Sequence, residues 1–167
     1  MPQSYSKNTA ELEAALGYRF HNVALLQEAL THKSYQHEHA DRSAGFNERL
    51  EFLGDSVLGL AIAEKLFSIS ESFTEADMSR MKAYLVNKSV LFEIGSSLKL
   101  GRYIRLGKGE ESSDGRQKQS IVANAVEAVV GAVFLDAGYD SARDVILSLY
   151  GSRIDDIVSR RAWYDYK

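Results

Sequence analysis

In the run Asn47 to Leu60, NERLEFLGDSVLGL, three acids, Glu48, Glu51 and Asp55, stand at i, i+3 and i+7. At 100° per residue a helix would gather them within an arc of about 60°. Like charges so close repel by a few tenths of a kcal/mol per exposed pair, and more when partly buried. A divalent cation would relieve that repulsion, although a solvated acidic edge would show the same spacing. Farther along, SIVANAVEAVVGAVFL (residues 120–135) has only two polar side chains after Ser120, Asn124 and Glu127, three apart and therefore on one face. A carboxylate in such an apolar run costs several kcal/mol if buried without partners, so Glu127 needs a cation or donors nearby. The bland alternative is a cap-like Asn beside a salt-bridged Glu. Together the two segments offer Glu51, Asp55, Asn124 and Glu127, an all-oxygen set suited to Mg²⁺ or Mn²⁺.

The elements that must carry these residues read as helices. The single proline is Pro2, so no interior segment lacks a backbone donor, and the apolar spacing is helical almost throughout. The pattern predicts a short helix over Thr9–Leu16, capped by Asn8 and followed by Gly17, and a second over VALLQEALTH, capped by Asn22. Gln36 to Gly45 is polar and reads as a loop. From Phe46 to about Phe67 runs a long helix with Leu50, Leu53, Val57, Leu60, Ala61 and Leu66 on one side. Thr74 and Asp77 form a capping box, and Asn87 caps the helix after that. GKGEESSDGRQKQ, Gly-rich and charged, reads as an exposed, mobile loop. Ser120 to about Leu135 reads as a buried helix ended by Gly138, and Asp140 or Ser141 caps a last helix running towards Arg160. The expected fold is all-α, a single domain of about seven or more helices.

Composition adds exclusions. There is no cysteine, so disulfides and thiolate metal sites are ruled out, and 45% hydrophobic with 26% charged residues is ordinary for a globular protein. No basic segment followed by an apolar run opens the chain, and no stretch of about 18 uncharged apolar residues occurs, so a cytoplasmic protein with no membrane partner is expected. The net charge of −3 argues weakly against nucleic acid, but the distribution is uneven. Residues 80–118 hold nine Lys or Arg against four acids, whereas residues 1–79 hold twelve acids against six bases. Solvated helix faces would give the same bias. A hard-metal site near a basic surface is equipment for phosphodiester hydrolysis.

The run NERLEFLGDSVLGL resembles the signature motif of the ribonuclease III family. LGYRF at 16–20, ALTHKSY at 29–35, EADMSRMKAYLVN at 75–87 and ANAVEAVVGAVFLDAGY at 123–139 resemble further blocks of that family in the same order. The resemblance covers nearly the whole chain. It implies a bacterial-type catalytic domain over 1–160, with 161–167 beginning a linker to an absent double-stranded RNA-binding domain. It implies metal-dependent cleavage of double-stranded RNA by a homodimer, in rRNA and mRNA precursor processing, with 5′-phosphate and 3′-hydroxyl ends. Two Mg²⁺ per active site are implied, with Mn²⁺ a possible substitute.

Carried over position by position, Glu51, Asp55 and Glu127 match the family's metal-binding acids, with Asp55, Glu127 and Glu48 as catalytic residues and Glu75 in a supporting role. Asn124 departs from the pattern, because many members carry Asp there, and an amide oxygen ligates Mg²⁺ more weakly. Phe52 and Leu53 match the region of the two-fold interface, although composition alone would put Phe52 in the core. His32 reads as a structural hydrogen-bonding residue, since two-metal hydrolysis needs no imidazole. Arg80, Lys82, Lys108, Arg116 and Lys118 are the candidate phosphate contacts, with RNA recognised mainly by shape. The alternative is a dimeric RNA-binding module disabled in cleavage by Asn124, and another is a short relative acting on structured ribosomal RNA. A purely structural helical protein would leave Glu127 unexplained.

Overall fold

The computed structural model describes residues 5–39 and 45–164. Among them are ten α-helices and two single 3₁₀ turns, with no strand beyond an isolated bridge between Thr31 and Arg105. The helices are α1 (Tyr5–Leu16), α2 (Val23–Ala29), α3 (Lys33–Glu38), α4 (Glu48–Ile69), α5 (Glu75–Leu85), α6 (Lys88–Ser97), α7 (Lys108–Ser112), α8 (Gln119–Ala137), α9 (Tyr139–Tyr150) and α10 (Arg153–Tyr164). The all-α reading therefore holds.

Local capping chemistry fixes several starts. Asn22 accepts from the Ala24 amide at the head of α2, and Asn87 accepts from Val90 at the head of α6. At α5, Thr74 and Asp77 close the predicted capping box in both directions. Other boundaries differ. α1 begins at Tyr5, so Asn8 lies inside it rather than capping it, nothing between Tyr5 and Asn8 being a breaker. Gln36–Glu38, read as loop, is the last turn of α3, which is capped by His32. The rest of that loop expectation, at 40–44, lies outside the described residues. The single last helix is two, because Gly151, at φ +55°, breaks the chain between α9 and α10; Gly138 precedes α9 where Asp140 or Ser141 was expected to cap. α10 continues to Tyr164, four residues past the anticipated linker boundary, and 165–167 lie outside the described residues.

The centre of the fold is α8, with twelve buried residues from Ile121 to Val133, packed by α2, α4, α6 and α9. Among the described residues it is the one helix long and apolar enough to cross a membrane by length and composition, yet two thirds of that window is buried inside the domain. Its closest neighbour is α4. A Cβ on Gly54 would land on the Glu127 carbonyl, and one on Gly131 would land on the Leu50 carbonyl, so the two helices touch backbone to backbone. α4 buries Leu50, Val57, Leu58, Ala61, Ile62 and Leu66, and Leu53 is partly buried against this core. Leu60, expected among the core-facing residues, is instead 56% exposed. It lies close in angle to Phe67, which is 75% exposed, and about 80° round the helix from Phe52, which is 79% exposed.

The stretch 107–119, expected to be a mobile loop, is pinned. Arg116 makes a two-pronged ion pair with Glu111 and donates to the carbonyls of Gly101 and Ile104, at 2.8 and 2.6 Å. Glu38 receives the amides of Lys108 and Gly109 at the start of α7. Long-range partners of this kind turn a Gly-rich charged sequence into ordered structure.

Candidate active site

The glycine contact brings the first half of α4 against the middle of α8, and this crossing sets the acids. Glu127 is 7% exposed, and its carboxyl donates to Asp55. Burial, the hydrogen bond to Asp55 and the charges of Asp55 and Glu51 together push the Glu127 carboxyl up to about 8, with Lys88 pulling the other way. Glu51, half-buried, is also raised, chiefly by burial. The neutral form of Glu127 is favoured because a second charge held dry beside Asp55 and Glu51 is costly.

On the Glu51 side of the crossing lies a cleft of about 320 Å³, lined among others by His32, Lys33, Glu48, Glu51, Lys118 and Asn124, with Asp55 and Glu127 outside its lining. Its floor is fixed by Asn47, which is buried and ties the start of α4 to the end of α2: its amide donates to the Thr31 carbonyl at 2.9 Å and its side chain to the Ala29 carbonyl at 3.2 Å. Glu48 is exposed at the rim, 3.6 Å from the Lys33 ammonium. His32 accepts from the Ser34 amide and holds the start of α3; burial lowers its pKa. Lys118 pairs with Glu110 at 2.8 Å at the other side of the cleft. Lys88, the first residue of α6, donates to the Asn124 side-chain oxygen at 2.6 Å.

Thus Glu51, Asp55, Asn124 and Glu127 are drawn together, with Glu48 at the edge. Glu75 is not among the residues lining the cleft; it is exposed at the start of α5 and accepts from Ser79 at 2.6 Å. Of the five candidate phosphate contacts, Lys118 faces the cleft. Arg116 is committed to internal bonds, the end of Lys82 lies along Gly59 of α4, and Arg80 and Lys108 are exposed elsewhere. Lys33 and Lys88 did not emerge from the sequence, although each carries a signal. Both are the first residue of a helix, directly after the capping residue, where the helix dipole disfavours a cation unless something nearby compensates.

The donor chemistry suits a hard divalent ion. Asp55 and Glu127 are preformed as a pair and Glu51 is close enough to act on Glu127, though among the described residues no group of three acids or histidines is already arranged as a ligand cluster.

A family model described as Ribonuclease-III-like matches residues 22–154. Ribonuclease 3 of Syntrophotalea carbinolica is 47% identical over 162 residues, covering 97% of this chain and 70% of that protein. Ribonuclease 3 of Cupriavidus pinatubonensis is 46% identical over 160 residues, covering 96% of this chain and 60% of that one. The chain thus spans 60 to 70% of the length of these two relatives. The solved nuclease domain of ribonuclease III from Campylobacter jejuni superposes with a TM-score of 0.80 at 41% identity, over 88% of this chain and 96% of that one. A second structure of that domain, described for flexibility in a region involved in its dimer formation, gives 0.79 at 42% identity, over 85% and 95%. With a family model matched over most of its length, the shared all-helical fold and the carboxylate pair at the α4–α8 crossing, the chain belongs to the ribonuclease III family and corresponds to its nuclease domain.

Proposed function

We propose that this domain is a divalent-metal-dependent endonuclease that cuts double-stranded RNA as a homodimer and leaves 5′-phosphate and 3′-hydroxyl ends. One observation carries the reading: a buried Glu127 pressed against Asp55 and Glu51, an arrangement that costs stability in the protein alone and is relieved by a cation. Mg²⁺, or Mn²⁺ in its place, two per site, would supply polarisation of the phosphate and activation of water. Glu51, Asp55 and Glu127 would hold it, with Asn124 as a neutral ligand or an orienter.

The remaining roles belong to the chain itself. Glu127, favoured as the neutral acid in the protein alone, would have to give up its proton to hold the ion. Glu48, exposed at the rim, is placed to orient water or substrate, and Lys33 and Lys118 face the cleft where phosphates would enter. The exposed Phe52, Leu60 and Phe67 on α4 present an apolar strip to a second copy of the chain, with Leu53 beneath it, so two sites would act on opposite strands. The substrates would be rRNA and mRNA precursors, in the cytoplasm. With a net charge of −3, the domain would hold RNA weakly without a separate binding module.

A second reading, an RNA-binding dimer impaired in cleavage, is favoured by Asn124, whose oxygen is already engaged by Lys88. Cleavage of a long duplex RNA with Mg²⁺ at low salt separates the two. Cutting that a chelator stops supports the enzyme with Asn124 as it stands. Cutting only by Asn124→Asp supports the impaired form. RNA retained without products by both, at concentrations where dimers form, defeats the nuclease reading.

A further inference from the structure

Lys88 donates directly to Asn124, the amide that stands with the carboxylates. It comes from α6, a helix that supplies none of the acids, and its ammonium sits 2.6 Å from the Asn124 oxygen. Asn124 is one helical turn before Glu127 on the same face of α8, which brings the ammonium within electrostatic reach of both Glu127 and Glu51. After burial itself, Lys88 is the strongest influence on the Glu51 carboxyl. The position is built, because α6 is held tightly to α8: a Cβ on Gly95 would meet Val122 and Val126. Asn87 fixes the first turn of α6, and with it the root of Lys88, through the Val90 amide.

We propose that Lys88 is a resident counter-charge of this site, a positioning residue that holds the Asn124 amide and sets how tightly the carboxylates bind a divalent cation. Asn124 contributes an oxygen but no charge, and Lys88 adds a positive charge where the cation would stand to gain from negative ones. Both features weaken the ion. In the metal-free protein the ammonium offsets part of the repulsion among Glu51, Asp55 and Glu127, and on loading it must yield the Asn124 oxygen or remain as a competing cation. The inference rests on the metal-binding reading above, and its test separates the two.

The experiment is titration of Mn²⁺ into the chelator-stripped protein without RNA, with free Mn²⁺ read by electron paramagnetic resonance. Lys88→Gln should tighten Mn²⁺ by about tenfold, the size expected of one unit charge a few ångström from a divalent ion in water-like surroundings. Lys88→Arg, which keeps the charge, should stay within about twofold of the parent, a rescue that a merely structural lysine would not require. On an Asn124→Asp background, where the ammonium faces a full carboxylate, the gain from Lys88→Gln should be larger. Equal affinity for the parent and a folded Lys88→Gln overturns the proposal, as does a Lys88→Arg that behaves like Lys88→Gln. Glu127→Gln locates any failure. If it abolishes binding while Lys88→Gln changes nothing, only the role of Lys88 falls; if it changes nothing, the ion is elsewhere and the reading of the site falls with it.

Discussion

Two regions of this domain hold charge in opposite ways. In the segment 101–118 unlike charges meet, Arg116 with Glu111 and Lys118 with Glu110, and hydrogen bonds from those bases hold both glutamates below the usual carboxylate range. At the α4–α8 crossing the charges are alike, and burial with repulsion pushes Glu127 up to about 8. The first arrangement stabilises the chain that contains it. The second is maintained against its own electrostatics by glycine-tight packing, and a protein retains such strain where it does chemistry.

The comparison breaks most severely at the crossing. Gly54→Ala should destabilise the domain by on the order of 3 kcal/mol in urea unfolding and abolish cleavage, because the new methyl has no room against the Glu127 carbonyl. Gly109→Ala, in the charged segment with open space around it, should change stability by no more than about 0.5 kcal/mol. Glu127→Gln should cut the rate of duplex cleavage by at least about 100-fold while leaving circular dichroism unchanged. Arg116→Ala should lower stability by about 2 kcal/mol, since it strips Glu111 of its partner and leaves two carbonyls unsatisfied, and hydrogen exchange should quicken across 101–118.

The smallest effect is also the sharpest test. Glu127 has a folded pKa above its ordinary value, so its contribution is fully present below about pH 4.5 and is lost as pH rises towards 8. Metal-free melts should therefore fall across that window, and the gain in Tm from Mg²⁺ should be greater at pH 8.5 than at pH 6. Glu110 and Glu111 are depressed, so their contribution holds above the ordinary carboxylate range and fades as pH drops below it; Glu111→Gln should flatten the acid limb alone. A melt that rises with pH through the neutral range in the metal-free protein would contradict the account of the crossing.

What was legible in the sequence was local. The period of α4 and α8, the Thr74–Asp77 capping box and the Asn22 and Asn87 caps are written within a few residues, and Glu127 betrayed itself by standing in an apolar run. What was hidden depended on distant partners. Nothing near Arg116 announces that it will reach the carbonyls of Gly101 and Ile104, and Lys88 and Asn124 are 36 residues apart. Leu60 was misjudged because spacing reports that a helix has an apolar side, not how many such sides it has or what covers each. Gly151 was passed over because the apolar pattern runs on through a break that only the backbone reveals.

The contact between Gly54 and the Glu127 carbonyl has one more consequence. Side chains hop between rotamers, and a site aligned through interlocking side chains inherits their jitter. Here the two helices bear on each other through main chain, so the spacing between Asp55 and Glu127 behaves like a machined fit with no bushing between the parts. Its tolerance is that of the backbone, and drift elsewhere on the surface of the domain leaves the gauge of the site untouched.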